Sequence, residues 1–385
     1  MMETLNSDRA SYQFDSSNQP QVLFASHTFD GGVFKVGSHH LAKQLSTNGY
    51  RVAHVSTPVS PLHLVRKPLD PARLAIARAG AHRDEFGVLQ LVPRVAFPSQ
   101  LHPAPQTMRR ILRGIGFDQP DYVFIDQPLL SGLLPLRTNS TVIYRPTDIY
   151  TSGVLAKRQI EVLRRAHGVI ATSAAVLESL EVPRGTRTLV LENGVDFEHF
   201  STRSHHQRSG IIYAGSLDHR FDWDAVILLA NEFPDVTITI AGPTRADFPP
   251  LPENVSCVGS LQYEELPTRL AQASVGILPL SGAIENAGRS PMKYYEYLAA
   301  GLHVVASSTE TLRSRMAAGV ELYSTPAELI DMTKRALAQQ QENILGAADA
   351  AGQDWSRKAS ALMAFAHDVR RRQLGLVKAS EDLTR

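Results

Sequence analysis

The chain has 385 residues, enough for two or three domains. Its 43% hydrophobic and 20% charged content fits a globular protein, and a formal net charge of +1 leaves no global field to recruit nucleic acid. One cysteine, Cys257, excludes an intrachain disulfide and suits the cytosol, and no apolar run reaches the roughly 18 residues that a membrane span needs.

Residues 1–20 are polar, lack the apolar stretch of a signal peptide and are expected to form a disordered tail. Gln21–Ser26 is a buried-type strand. It runs through the loop HTFDGGVFKVGS into a helix that ends at Gly49, and strand Arg51–Ser56 follows. Such a strand–loop–helix–strand unit belongs to a parallel sheet. Gly31 and Gly32 let backbone approach a ligand closely, but no Gly-x-Gly-x-x-Gly is present, which argues against a nicotinamide or flavin site. His27 ends the first strand; a lone His there is either a hydrogen-bonded structural residue or a catalytic one.

Residues 57–117 break the simple alternation. They carry many prolines and an excess of cations, Arg66, Lys67, Arg73, Arg78, Arg83, Arg94, Arg109, Arg110 and Arg113, with Leu62, Leu64, Leu69, Leu74, Leu89, Leu91 and Phe97 interleaved. This mixture predicts either an interfacial surface that touches anionic lipid or an ordinary solvated helical face. No nucleic-acid-binding module accompanies the charges.

Strands follow at residues 121–126 and Thr141–Tyr144, then a helix at 154–165 and strands at 168–172 and 189–191. The last closes in the turn Glu192-Asn193-Gly194-Val195-Asp196. Asp148 lies beyond strand Thr141–Tyr144, at what should be a carboxyl edge, where such sheets bind ligands. It either caps the next helix or serves as a base; Thr151 stands three residues on, so a capping box is absent. Residues 201–209, polar and basic, read as an interdomain linker. The pattern then restarts. Strand 210–214 leads into the turn Gly215-Ser216-Leu217, a helix begins near residue 224, and strands 237–241, 255–258 and 275–278 follow, with helices at 264–273, 326–338 and Trp355–Gln373. Asp222-Trp223-Asp224 has the carboxylate spacing of a divalent-metal site, but it precedes a helix, where Asp is a common cap.

Residues 286–307, NAGRSPMKYYEYLAAGLHVVAS, read as loop, helix and buried strand. Ser290 is the expected N-cap, Pro291 the first helical residue and Gly301 the left-handed residue that closes the helix. Lys293 then falls in the first turn, with Arg289 just outside. Cations are electrostatically misplaced at a helix start unless an anion binds there, and phosphate is the usual anion. Glu296 lies one turn on, where a carboxylate can accept from the two hydroxyls of a ribose. The plain alternative is a Lys293–Glu296 surface pair.

The pattern Ser-Pro-Met-Lys-x-x-Glu-Tyr-Leu-Ala-x-Gly at residues 290–301, followed by the Val304-Val305 strand, resembles the donor-site helix of GT-B glycosyltransferases. Within that fold it is most similar to the glucuronosyltransferase group of xanthan assembly. Tyr144-Arg145-Pro146-Thr147-Asp148 resembles the Tyr-Arg-x-x-Asp of the same group, and the Asn-Gly-Val-Asp turn with Phe200 resembles the end of the N-terminal half. The resemblance runs from about residue 21 to residue 307 and is densest at 143–148, 215–222 and 290–301.

The resemblance implies an α/β fold of two Rossmann-like, doubly wound parallel-sheet domains facing across a cleft. An acceptor domain would span residues 21–200, joined by the C-terminal helix 355–373, and a nucleotide-sugar domain residues 210–354. It implies Lys293 on the donor diphosphate and Glu296 by the nucleoside, with Gly215, Ser216, Leu217, Arg289, Ser290 and Met292 beside them. His27, Asp30, Gly31 and Gly32 would face the cleft near the acceptor, and Asp148 would be the general base. Many retaining relatives carry a second Glu eight positions before Glu296; Gly288 stands there, which points to inversion of configuration. Lys293 and Arg289 would supply the positive charge a metal otherwise gives, so no metal and no cofactor are expected.

The reading is an inverting transfer of a sugar, with glucuronic acid the leading candidate, from a UDP-sugar to a lipid-linked oligosaccharide at the inner membrane face, by a cytoplasmic, peripherally attached protein. The alternatives are a sugar-nucleotide epimerase of the same architecture and a non-catalytic nucleotide-binding scaffold.

Overall fold

The computed structural model describes residues 19–375 apart from 33–34, 63–69, 103, 134–138, 203–206, 244–247 and 340. Of the expected tail, residues 1–18 lie outside the described residues, as do Leu64, Arg66, Lys67 and Leu69 of the basic segment. The first sheet contains β1 (Gln21–Ser26), β2 (Arg51–Ser56), β3 (His82–Arg83), β4 (Leu89–Leu91), β5 (Tyr122–Ile125), β6 (Thr141–Tyr144), β7 (Gly168–Ala171) and β8 (Arg187–Val190), in the order β3-β4-β2-β1-β5-β6-β7-β8. The second contains β9 (Ile211–Ala214), β10 (Ile238–Ala241), β11 (Val255–Gly259), β12 (Val275–Leu278), β13 (His303–Ser307) and β14 (Val320–Tyr323), in the order β11-β10-β9-β12-β13-β14.

All pairings in the second sheet are parallel. In the first, only the edge pair β3–β4 is antiparallel. Only a short turn joins these two strands, too short for a parallel crossover. Asp84 holds it by accepting from the Phe86 and Val88 amides at 3.0 and 2.9 Å. The expectation of two doubly wound sheets is otherwise met. Strands with helices on both faces should be apolar on both, and β1 is: Leu23 and Ala25 enter one core layer, Val22 and Phe24 the other. Fully burying each large aliphatic side chain is worth about 1.5–3 kcal/mol.

Helix Trp355–Gln373 packs on the first sheet's side of the molecule. Trp355, Ala359, Leu362, Met363 and Ala366 join the core layer of β1, and Gly168 makes room, since a Cβ there would lie 2.9 Å from Val369 Cγ2. Arg370 pins the last turn to Asp121 at 2.9 Å. The chain thus passes twice between the two halves, and the passages are bonded side by side. The Val195 amide donates to the Gln353 carbonyl at 3.1 Å, and the Trp355 amide donates to the Val195 carbonyl at 3.0 Å.

The basic segment is more ordered than its sequence pattern indicates. It holds β3, β4 and helices Pro71–Ala79 and Pro105–Gly114. Arg73 is not a free surface charge: it donates to Ser56 Oγ at 3.1 Å, to the His27 carbonyl at 3.3 Å and to Thr57, tying its helix to the ends of β1 and β2. Helix Pro105–Gly114 buries Met108 and Leu112 and leaves Arg110 and Arg113 exposed. Phe97 and Leu101, 58% and 63% exposed, precede it. Among the described residues no helix is long and apolar enough to cross a membrane.

Candidate active site

The carboxyl ends of both parallel sheets face one cleft of about 400 Å³. On the first-domain side β1 delivers Ser26 and His27, β5 delivers Asp126, and β6 delivers Arg145, Thr147 and Asp148. Opposite them β9 ends in Ala214, Gly215 and Ser216, β10 ends in Gly242, and the stretch Arg289–Lys293 closes the site together with Glu296. His27, Asp148, Gly215, Ser216, Arg289, Ser290, Met292, Lys293 and Glu296, all singled out in the sequence, therefore line one cavity.

Helix Met292–Ala299 begins one residue later than its Ser-Pro start suggests. Pro291 occupies the N-cap position and no side chain caps the first turn. Ser290 Oγ instead accepts from the Asn193 amide at 3.0 Å and from Arg315 at 3.1 Å, while the Ser290 carbonyl accepts from Asn193 Nδ2 at 2.7 Å. Ser290 thus fastens the helix start to the Asn-Gly turn where the chain crosses between domains. Uncapped first-turn N–H groups keep the partial positive end of the helix available to the cleft.

Lys293 lies deep in this cleft with its stem across Gly215, where a Cβ would stand 1.9 Å from Lys293 Cε. Only glycine fits there. Burial, with the charge of Arg289, lowers the Lys293 pKa, and Glu296 opposes the shift. Burial raises the Glu296 pKa, against the pull of Lys293. The pair is not a solvated surface bridge, because Glu296 is buried and no ion pair joins the two among the described residues. Arg289 is half-buried and desolvation lowers its pKa; Arg220 adds to that effect, while Asp148 and Asp218 oppose it. Its guanidinium makes no hydrogen bond or ion pair among the described residues. Three cations therefore gather at one wall, and only Arg220 is matched, by Asp218 at 2.6 Å.

Asp148 stands on the opposite wall, half-buried, and accepts from Thr147 Oγ1 at 2.9 Å. It does not cap a helix: the next begins at Gly153 with Ser152 at its N-cap. Its charge reaches Arg220 and Arg289 across the cleft and His27 beside it. The His27 pKa is lowered by burial, with Asp148 and Asp126 pulling the other way. Beneath Asp148, Arg145 and Asp126 form a buried bidentate pair at 2.7 and 2.9 Å.

Leu217 packs into the second-domain core rather than lining the cleft. Asp30, Gly31 and Gly32 line a second cavity, separate from His27. Asp222 accepts from the Ala225 amide at 3.1 Å as the N-cap of helix Trp223–Glu232, so the Asp-Trp-Asp triplet is a cap. Among the described residues no group of three or more His, Cys, Asp or Glu side chains is placed to hold a metal ion.

Sequence reasoning passed over Arg220, Asp126, Lys35 and Tyr263 as cleft residues. Arg220 carried a readable signal, being placed directly after the glycine turn of β9. Tyr263 carried none, since it enters from a loop between elements.

The family model for Glycosyl transferases group 1 matches residues 208–344. A curated relative, the putative teichuronic acid biosynthesis glycosyltransferase TuaH of Bacillus subtilis (strain 168), is 26% identical over 220 residues, covering 49% of this chain and 54% of the relative. The chain thus spans about half the length of the curated relative it matches. Sucrose-phosphate synthase from Thermosynechococcus elongatus superposes with a TM-score of 0.69 at 16% identity, over 94% of this chain and 100% of that one. Anabaena Alr3699/HepE in complex with UDP gives 0.64 at 16% identity, over 90% and 100%. The chain has the GT-B fold of these structures.

Proposed function

We propose that the chain is an inverting glycosyltransferase that moves glucuronic acid from UDP-glucuronate to a lipid-linked oligosaccharide in surface-polysaccharide synthesis. One observation carries the reading: across a single cleft, Asp148 faces a wall of cations built around an uncapped helix start. The acceptor hydroxyl attacks the anomeric carbon from the Asp148 side. Its proton passes to the carboxylate as the bond to UDP breaks on the opposite face. Charge developing on the leaving diphosphate is met by Lys293 and the first-turn N–H groups. Arg289, unmatched beside them, supplies a partner for the uronate carboxylate.

Gly288 supports inversion. A Cβ there would lie 2.9 Å from Ile149 Cδ1 and from Val176 Cγ2, so a glutamate, which many retaining relatives carry at this position, would have to displace both side chains. The TuaH likeness supports a role in surface-polysaccharide synthesis, and the UDP complex of a fold neighbour supports a uridine diphosphate donor. Incubation with UDP-glucuronate and extracted lipid-linked acceptors should release UDP and give a glycoside of inverted anomeric configuration by NMR. Conversion of the UDP-sugar without acceptor would establish an epimerase instead, and UDP binding without turnover a scaffold.

Lys293→Ala should weaken UDP binding by one to two decades, because a charged hydrogen bond to phosphate is worth about 1.5–3 kcal/mol. Lys293 binds diphosphate in its protonated form, and its pKa in the free protein is lowered. Parent affinity should therefore fall on the alkaline side before an ordinary lysine would titrate, and the variant should lose that dependence. Calorimetry across pH reads both effects; an unchanged UDP affinity in Lys293→Ala would remove Lys293 from the donor site.

The exposed Phe97 and Leu101, in the segment just before the exposed Arg110 and Arg113, support peripheral membrane contact. Anionic vesicles should bind the protein more tightly than neutral ones, and salt should weaken that binding, since surface charges are screened over about 10 Å at 0.1 M. Replacing Arg109, Arg110 and Arg113 with Ser should reduce it by about 1 kcal/mol per residue at most. Equal co-sedimentation with both vesicle types would exclude the electrostatic part.

A further inference from the structure

Hydrogen bonds from the end of β7 tie the wall of Asp148 to the wall of Arg289. Thr172 and Ser173 follow that strand directly and are each 1% exposed. Thr172 holds the loop that carries Asp148: its amide donates to the Pro146 carbonyl at 3.4 Å and its hydroxyl to the Thr147 carbonyl at 3.4 Å. Ser173 reaches the other way. Its hydroxyl accepts from the Val176 amide at 3.1 Å, as the N-cap of helix Ala174–Glu178, and donates to the Gly288 carbonyl at 2.8 Å. Gly288 immediately precedes Arg289.

Packing completes the tie. Gly288 is buried, and a Cβ on it would lie 2.9 Å from Ile149 Cδ1, 2.9 Å from Val176 Cγ2 and 3.1 Å from Ile149 Cγ1. Ile149 immediately follows Asp148. The glycine therefore lets the backbone beside Arg289 come directly against the side chain beside Asp148. Its conformation does not demand glycine: φ is −94° and ψ is 0°, which alanine also adopts. Space demands it. Val176 is fully buried and β-branched on a helix, so its methyl has no ready rotamer to move to. On its far side the Gly288 segment is fixed to the second domain. Asn286, 2% exposed, donates its amide to the Arg220 and Ser281 carbonyls at 2.9 Å each, and Thr311 Oγ1 donates to the Ala287 carbonyl at 3.0 Å. A push at Gly288 is thus resisted on both sides and passes to the loops of Asp148 and Arg289.

We propose that Ser173 and Gly288 are positioning residues: together they hold Asp148 at a set separation from Arg220 and Arg289, and the absent side chain at position 288 sets that separation. The role in transfer rests on the transferase reading above; the spacing itself does not. A sugar held by its diphosphate at the cation wall is attacked from the Asp148 side. The gap between the walls then decides whether base, acceptor hydroxyl and anomeric carbon come into line, and an error of about 1 Å in such alignment costs about a hundredfold in rate. UDP needs the cation wall alone, so its affinity does not sense the gap.

Gly288→Ala tests this by adding one methyl group. Its kcat should fall by about 10- to 100-fold, with UDP affinity within about twofold of the parent. Adding Ile149→Ala and Val176→Ala removes the three atoms that the methyl meets and should restore much of the lost kcat. Should that triple variant not fold, Ser173→Ala keeps the test: it should lower kcat in the same way, and Ser173→Thr, which keeps hydroxyl and cap, should not. The separation is read without turnover by pulsed dipolar spectroscopy on the UDP-saturated protein, with spin labels at the exposed Lys157 and Glu232 and the exposed Cys257 replaced by Ser. Gly288→Ala should lengthen or broaden the distance between the labels. Parental kcat with parental spacing in Gly288→Ala would overturn the proposal, as would a loss of UDP affinity as large as the loss of kcat. A parent that transfers no sugar would refute the transferase reading instead, and an unchanged label distance in Gly288→Ala would still overturn the spacing.

Discussion

Asp148→Asn is expected to lower turnover by roughly 10²–10⁴ while leaving UDP affinity nearly unchanged. Asparagine keeps the shape of the side chain and can still accept from Thr147 Oγ1, the bond Asp148 makes at 2.9 Å. What it loses is basicity. The effect should therefore fall on the chemical step, with kcat and kcat/KM reduced together. His27 is the rival base on the same wall. Its lowered pKa leaves it neutral at pH 7, so protonation state alone does not exclude it. Position favours Asp148: the Arg220 charge reaches both groups, but Arg289, on the wall where the donor is proposed to lie, interacts with the Asp148 carboxylate. Parallel assay of His27→Asn separates the two. If Asp148→Asn retains near-parental transfer at saturating donor and acceptor, and His27→Asn does not, the base is His27.

Much of this arrangement was legible before any coordinates. β1, β2 and the return helix Trp355–Gln373 fall where their apolar patterns put them, because long elements buried on a broad face leave a clear period. The cleft residues were legible for a topological reason: a parallel sheet places the residues after each strand on one edge, so Gly215, Asp148 and His27 could be gathered from strand ends alone. What stayed hidden was what depends on side-chain reach. Ser290 has the sequence context of an N-cap, yet Asn193, nearly a hundred residues away, and Arg315 claim its hydroxyl. Arg73 looks like surface charge and is a tie between strand ends. Leu217 follows a ligand-type turn but finds the core instead. The short β3–β4 pair and helix Pro71–Ala79 escaped because elements between prolines are too brief to show a period.

Arg145→Met is expected to destabilise the first domain by about 3–5 kcal/mol, because it strands the Asp126 carboxylate without a partner at a buried site. Both side chains are 3% exposed, and the pair is bidentate. Asp126→Leu alone should cost a similar amount by stranding the guanidinium, whereas the double variant should recover most of the loss, since an apolar pair restores packing without a buried charge. Urea unfolding of the four proteins reads this cycle, and a single variant as stable as the parent would show that water reaches the pair. The cycle also bears on function. Arg145 directly follows β6 and precedes Pro146, Thr147 and Asp148, so the pair sets the direction from which Asp148 enters the cleft. Asp126 already accepts from Arg145 on both oxygens and is buried, which makes it less open to a substrate proton than the half-buried Asp148. The double variant should therefore fold and bind UDP yet transfer slowly, with kcat reduced more than KM is raised. A stable double variant with parental kcat would show that the β6 loop aims Asp148 without help from the pair beneath it.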